Sequence, residues 1–308
     1  MSLIRIEDVS HVRFRAPDLA VMRGYLEDFG LTVAGEDASG LFMRGAWPGP
    51  FVHATERGEP GFAALGLRAQ SLQDLETLAK AEGASVEAFD APGGGSAVIL
   101  ADPDGNRVEV VAGQTPASPL AFEPREPWNG AEAHPRLRRT KRVPAGPAVV
   151  TRLGHAVLNV ADFRASEAWY KDRFGFITSD EIALNPSLSI GAFLRCDRGD
   201  QPTDHHTLFL LQSPKGPGFN HAAFEVRDLD DLMRGHQHLA DRGRAQEWGV
   251  GRHLLGSQVF DYWRDPWGHT LEHWTDGDLF TTQDGSNVAT LQDLMAVQWG
   301  PDAPPTMG

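Results

Sequence analysis

Three residues in the second half of the chain carry side chains that bind metal ions: His155, His221 and Glu272. His155 lies in the strand-like run Leu153-Gly154-His155-Ala156-Val157, and His221 in Asn220-His221-Ala222-Ala223-Phe224. Glu272 follows the turn Asp265-Pro266-Trp267-Gly268 in a third such run. Two imidazoles and one carboxylate make a facial triad, which holds Fe(II) or a similar ion and leaves about three coordination positions open. Open positions let a substrate and O₂ meet on one ion. A lone histidine among the 12 in this chain would be read as an ordinary strand residue. These residues stand apart because they occupy equivalent places in a repeated pattern.

The elements that must position them come in two similar halves. One half begins Val9-Ser10-His11-Val12 and the other Leu153-Gly154-His155-Ala156. Each continues into a helical pattern that closes on Phe-Gly, at Phe29-Gly30 and Phe174-Gly175. The middles match as Pro60-Gly61-Phe62 and Pro217-Gly218-Phe219, and the ends as Asp102-Pro103-Asp104-Gly105 and Asp265-Pro266-Trp267-Gly268. A repeat of this length is read before anything else. Within each half the order strand, helix, strands occurs twice, which predicts an α+β fold of four βαβββ modules. A helix is expected near 162–174 with Asp162 as its N-cap, and another near 229–241. In the first half His11 aligns with His155 and Glu109 with Glu272, but the middle ligand position falls on Ala64, which has no donor atom.

Between the halves, from Gly113 to Pro147, there are seven prolines, too many for regular structure. Within this stretch Arg136, Arg138, Arg139, Lys141 and Arg142 form a basic cluster, read as a solvated charge run rather than an anion site. The expected organisation is a two-module domain without metal over 1–115, a Pro-rich linker over 116–148, a catalytic two-module domain over 149–278, and a tail over 279–308 with little regular signal. The net charge of −14 argues against a nucleic-acid or anionic membrane partner. The single Cys196 permits no internal disulfide, no leader is evident at the N-terminus, and no apolar run is long enough to span a bilayer; a cytoplasmic location is expected.

The most specific stretch is Gly251-Arg252-His253, followed by Tyr262 nine residues on and Glu272 ten further. On these residues the second half resembles the catalytic domain of the type I extradiol ring-cleaving dioxygenases of the vicinal oxygen chelate superfamily. The resemblance covers roughly 150–275, and the first half more weakly. It implies paired modules forming two barrel-like domains, with His155, His221 and Glu272 as ligands of Fe(II), Mn(II) being the alternative ion. It implies further that His206, His253 and Tyr262 act beside the metal in cleaving a catechol-type diol with O₂, within aromatic catabolism. His253 and Tyr262 would hydrogen-bond the substrate oxygen, and His206 would take and return a proton, a task suited to a side chain with a pKa near 6.5.

His205 competes with His206; in a strand the two would point to opposite faces, and the family's register selects His206. His236, His238, His269 and His273 are read as surface or structural residues, and Cys196, Trp263 and Trp267 as packing residues. Phe193 and Trp248 are candidates for the aromatic wall of the pocket. Trp248 stands where members that take carboxylate-bearing catechols often have arginine, and Val157 where they have asparagine. Both favour an apolar ring substituent, although Arg195, Arg198 and Arg252 leave an anionic one open. A homo-oligomer is expected. The competing functions are a glyoxalase-like metal-dependent isomerase or lyase, which would not need His206, His253 and Tyr262, and a non-catalytic binding module.

Overall fold

Asp18, Ser71, Asp162 and Asp228 each accept a backbone N–H from the first turn of a helix. These four caps mark the helices of four repeated units. The computed structural model describes residues 2–305. The first unit is β1 (Ile6–Ala16), α1 (Leu19–Phe29), β2 (Thr32–Glu36), β3 (Gly40–Arg44) and β4 (His53–Arg57). The second is β5 (Gly61–Ala69), α2 (Leu72–Glu82), β6 (Glu87–Ala88), β7 (Ser96–Ala101) and β8 (Arg107–Ala112). The third is β9 (Val150–Val160), α3 (Phe163–Phe174), β10 (Ile177–Asn185), β11 (Leu188–Arg195), a two-residue β12 (Thr203–Asp204) and β13 (Leu208–Gln212). The fourth is β14 (Gly218–Val226), α4 (Leu229–Asp241), β15 (Ala245–His253), β16 (Val259–Arg264) and β17 (Thr270–Thr275). The βαβββ order thus recurs four times.

Units one and two form an eight-stranded sheet in the order β2-β3-β4-β1-β5-β8-β7-β6. Units three and four repeat that order as β10-β11-β13-β9-β14-β17-β16-β15. In each sheet the first strands of the two modules, β1 with β5 and β9 with β14, pair antiparallel at the centre. The Asp-Pro-x-Gly turns between the last two strands are built alike. Asp102 and Asp265 each accept two backbone N–H bonds, and Gly105 and Gly268 take the positive φ the turn requires.

One hydrophobic core runs through both halves. Phe14 and Phe62 of the first half pack on Phe219 of the second. Asp28 on α1 is hydrogen-bonded by Arg242 and Arg244, beyond the end of α4. The stretch from Gly113 to Ala148 has no helix or strand. Three of its cations are engaged: Lys141 pairs with Asp230 of α4, Arg139 with Glu126, and Arg136 donates to the carbonyl of Pro127. Among the described residues no helix is long and apolar enough to cross a membrane.

The tail departs from expectation. After β18 (Leu279–Phe280), which pairs with β12, the chain forms β19 (Asn287–Thr290), α5 (Leu291–Met295) and β20 (Val297–Trp299). β19 adds parallel to β10 and β20 antiparallel to β15, so the tail caps both edges of the ten-stranded sheet. Segments this short carry no periodic signal of their own. They become strands because two open edges offer unpaired backbone groups.

Candidate metal centre

Two rows of cross-strand neighbours build the site. Along the first, His155 on β9 pairs with Ala223 on β14, Ala223 with Glu272 on β17, Glu272 with Tyr262 on β16, and Tyr262 with Trp248 on β15. Along the second, two residues away and so on the same face, His221 pairs with Val157, Val157 with Phe209 on β13, and Phe209 with Phe193 on β11. Laid flat, the strands holding Phe193 and Trp248 would lie roughly 29 Å apart, at about 4.8 Å per strand. Both side chains nevertheless line one cavity, so the sheet curls round it.

Ala223, between His155 and Glu272, is small and leaves a gap there. Nε2 of His155 and Nε2 of His221 lie 3.3 Å and 3.4 Å from Oε2 of Glu272. One donor atom from each of the three residues falls within 4.8 Å of the others. Glu272 is fully buried and neither carboxylate oxygen has a hydrogen-bond partner among the described residues. An unsatisfied buried carboxylate is costly, and a divalent cation is the natural partner for this donor set. Asn220 prepares one ligand: its Oδ1 accepts from Nδ1 of His221 at 2.8 Å, which leaves Nε2 bare for a metal. Burial pushes the Glu272 carboxyl up, but the adjacent imidazoles of His155 and His221 outweigh it and hold it well below the usual carboxylate range. Burial lowers the pKa of His155.

His206, His253 and Tyr262 line the same cavity, as do Phe193 and Trp248. Nε2 of His253 and the Tyr262 hydroxyl are hydrogen-bonded at 2.8 Å. Burial pushes His253 down to about 4 and the Tyr262 phenol well up, so His253 is neutral and Tyr262 keeps its proton at neutral pH. The Trp248 indole stacks on Tyr262 at 5.5 Å, and its Nε1 donates to the carbonyl of Pro301 in the tail. His206 packs against His155 with ring centroids 4.0 Å apart. Its pKa is well below the usual value, through burial and then through the neighbouring histidines.

The strand premise applied to His205 and His206 does not hold. The pair lies in an irregular bend between β12 and β13, so period-2 alternation does not govern it. Both rings point inward and both are buried. His205 lies behind His206: their Nδ1 atoms are 3.0 Å apart, and Nε2 of His205 is 2.6 Å from Oδ2 of Asp180. That hydrogen bond holds the Asp180 carboxyl below its usual range.

The four other histidines of the second half are occupied elsewhere. His236 faces Asp261, His238 Asp28, His269 Asp265, and His273 the carbonyl of Phe29. Arg195 is buried behind β10 and donates to the carbonyl of Thr178 and to Ser179 Oγ. Arg252 binds Asp276, and Arg198 lines a separate cleft of about 620 Å³ between the halves. None of the three arginines lines the cavity of His155 and His221. Sequence reasoning missed the cavity-lining Leu294 and Met295 of α5, which no local pattern marks, and Gln258. The Gln258 Nε2 is buried without a partner among the described residues. Its place after Gly256-Ser257, in the turn following Gly-Arg-His, could have drawn attention to it.

Residues 152–273 match the family model of the Glyoxalase/Bleomycin resistance protein/Dioxygenase superfamily. The chain is 30% identical over 303 residues to metapyrocatechase 2 of Cupriavidus necator, covering 97% of this chain and 90% of that protein. It is 27% identical over 308 residues to the biphenyl-2,3-diol 1,2-dioxygenase of Paraburkholderia xenovorans, covering 96% and 95%. In fold it is similar to the extradiol ring-cleaving dioxygenase of B. fuscum, with a TM-score of 0.81 at 19% identity over 99% of this chain and 82% of that one.

Proposed function

The chain belongs to the extradiol ring-cleaving dioxygenases of the vicinal oxygen chelate superfamily, and from that premise we propose that it opens catechols bearing an apolar substituent at an Fe(II) centre held by His155, His221 and Glu272. The observation that carries the reading is the fully buried Glu272, both oxygens unpartnered, facing two imidazole Nε2 atoms in a cavity that also holds His206, His253 and Tyr262. Bound there, Fe(II) would supply open positions where diol and O₂ meet and electrons pass between them, a reaction that triplet O₂ and a closed-shell diol undertake only slowly by themselves.

The chain's own groups then handle protons and orientation. His206, neutral at rest, accepts the proton of a catechol hydroxyl, and a negatively charged diol beside it raises its proton affinity. His253 and Tyr262, joined at 2.8 Å, present one hydrogen-bond donor to the diol oxygen on the opposite side. Tyr262 suits this because its raised pKa keeps the hydroxyl protonated. Phe193, Phe209, Val157, Trp248 and Leu294 enclose the ring and keep water out. Among the described residues no lysine or arginine lines the cavity, so a carboxylate substituent would be buried without a counter-ion.

A panel of catechols tests this. Anaerobic Fe(II)-loaded protein is mixed with each diol, air is admitted, and the yellow ring-opened product is followed to give kcat/KM. Alkyl- or aryl-substituted catechols should be turned over with higher kcat/KM than carboxylate-bearing ones. A preference for an acidic catechol would overturn the pocket reading. No oxygen uptake with any diol would return the chain to the isomerase alternative.

A further inference from the structure

Asp180, His205 and His206 form a buried chain that ends at the cavity. Asp180 Oδ2 is 2.6 Å from Nε2 of His205, and Nδ1 of His205 is 3.0 Å from Nδ1 of His206. The relative exposures are 8%, 1% and 3%, so water is largely excluded from the chain. The backbone of its middle residue is anchored. Ser179 Oγ donates to the carbonyl of His205 at 2.6 Å, and the buried Arg195 donates in turn to Ser179 Oγ. The rings of His205 and His206 are perpendicular, and Phe193 packs against both.

A hydrogen bond between two ring nitrogens requires one proton and one lone pair. An ionised carboxylate only accepts, so Nε2 of His205 carries a proton toward Asp180. A neutral His205 then has a bare Nδ1, which accepts from Nδ1–H of His206. His206 has one nitrogen left, Nε2, and that nitrogen must be bare. We propose that Asp180 and His205 are positioning residues that hold His206 in the Nδ1–H tautomer, so that Nε2 faces the cavity as a proton acceptor. The bond to His205 also survives proton uptake, because Nδ1 donates in both forms of His206. Without the chain, His206 could rotate or place its proton on Nε2, where it would point a donor at the diol hydroxyl it must deprotonate. This rests on the ring-cleaving reading, in which His206 takes the catechol proton.

The test reads the tautomer directly. In full-length protein labelled with ¹⁵N-histidine and loaded with diamagnetic Zn(II), long-range ¹H–¹⁵N spectra at pH 8 should show Nδ1 of His206 protonated and Nε2 bare. Asp180→Asn and His205→Phe should lose that pattern. In the Fe(II) enzyme both should lower kcat roughly ten- to a hundredfold, short of the ~10²–10⁴-fold expected for removing the acid–base group itself. Anaerobic catechol affinity should stay unchanged. His205→Gln should recover most of the rate, because its amide can still donate to Asp180 and accept from His206. A wild-type His206 protonated on Nε2 would overturn the proposal. So would wild-type kcat in both Asp180→Asn and His205→Phe while His206→Phe is crippled. If His206→Phe is itself fully active, the ring-cleaving role of His206 fails and this inference goes with it.

Discussion

The guanidinium of Arg13 hydrogen-bonds the buried carboxylate of Glu109 at 3.1 Å, in the first half's counterpart of the metal centre. His11, Gly66 and Glu109 form the row that His155, Ala223 and Glu272 form in the second half. Arg13 stands opposite Ala64 where Val157 stands opposite His221. A Cβ on Gly66 would lie 2.3 Å from the His11 ring, so the glycine lets His11 settle directly onto Glu109 at 2.7 Å. A permanent side-chain cation and a collapsed histidine thus replace the ion. Purified protein should carry one metal per chain by elemental analysis, and His155→Ala should carry none. Two equivalents in the wild type would sink this account.

Binding and chemistry should separate by mutation. His206→Phe keeps the three proposed ligands, so metal content and anaerobic catechol binding should persist while kcat falls ~10²–10⁴-fold, as for loss of a general acid–base group. Tyr262→Phe removes one donor to a charged oxygen, about 1.5–3 kcal/mol, and should cost roughly ten- to a hundredfold in kcat/KM. Stopped-flow binding beside steady-state rates checks both. A His206→Phe protein that no longer binds metal would contradict the assignment.

His53 should give stability a pH dependence. It is fully buried, stacks on Phe14 at 5.0 Å, and neither ring nitrogen has a partner among the described residues. Burial pushes its pKa from 6.5 down to about 3. Between those values the unfolded chain binds the proton and the folded chain does not, so stability falls as pH drops from 6.5 toward 3 and is fully present above 6.5. The slope from one such group is about 1.4 kcal/mol per pH unit. His53→Phe should flatten the urea-unfolding midpoint between pH 7 and pH 5 relative to wild type. Parallel curves would remove His53 as a source.

The tail should influence selectivity. Leu294 of α5 lines the cavity, although α5 lies beyond the 152–273 stretch that matches the family model. Leu294→Ala should lower kcat/KM for alkyl- or aryl-substituted catechols by about tenfold or more, the value of a lost apolar contact. Unsubstituted catechol should change little. Equal losses on both would assign Leu294 to folding rather than to the substrate.

The sequence by itself carried what is local. Cap residues, Phe-Gly helix ends and Asp-Pro-x-Gly turns act within a few positions of one another, so four units were legible, as was α3 starting after Asp162. The residue types of His155, His221 and Glu272, set against the repeat, were legible for the same reason. Register was not: that Ala223 separates His155 from Glu272, and that Arg13 reaches Glu109, depends on pairings between strands distant in the chain. The inward turn of His205 needed the bend between β12 and β13 and the carboxylate of Asp180, 25 residues earlier. The strands of the tail exist because sheet edges accept them, and an edge is a property of the folded sheet rather than of the segment that covers it.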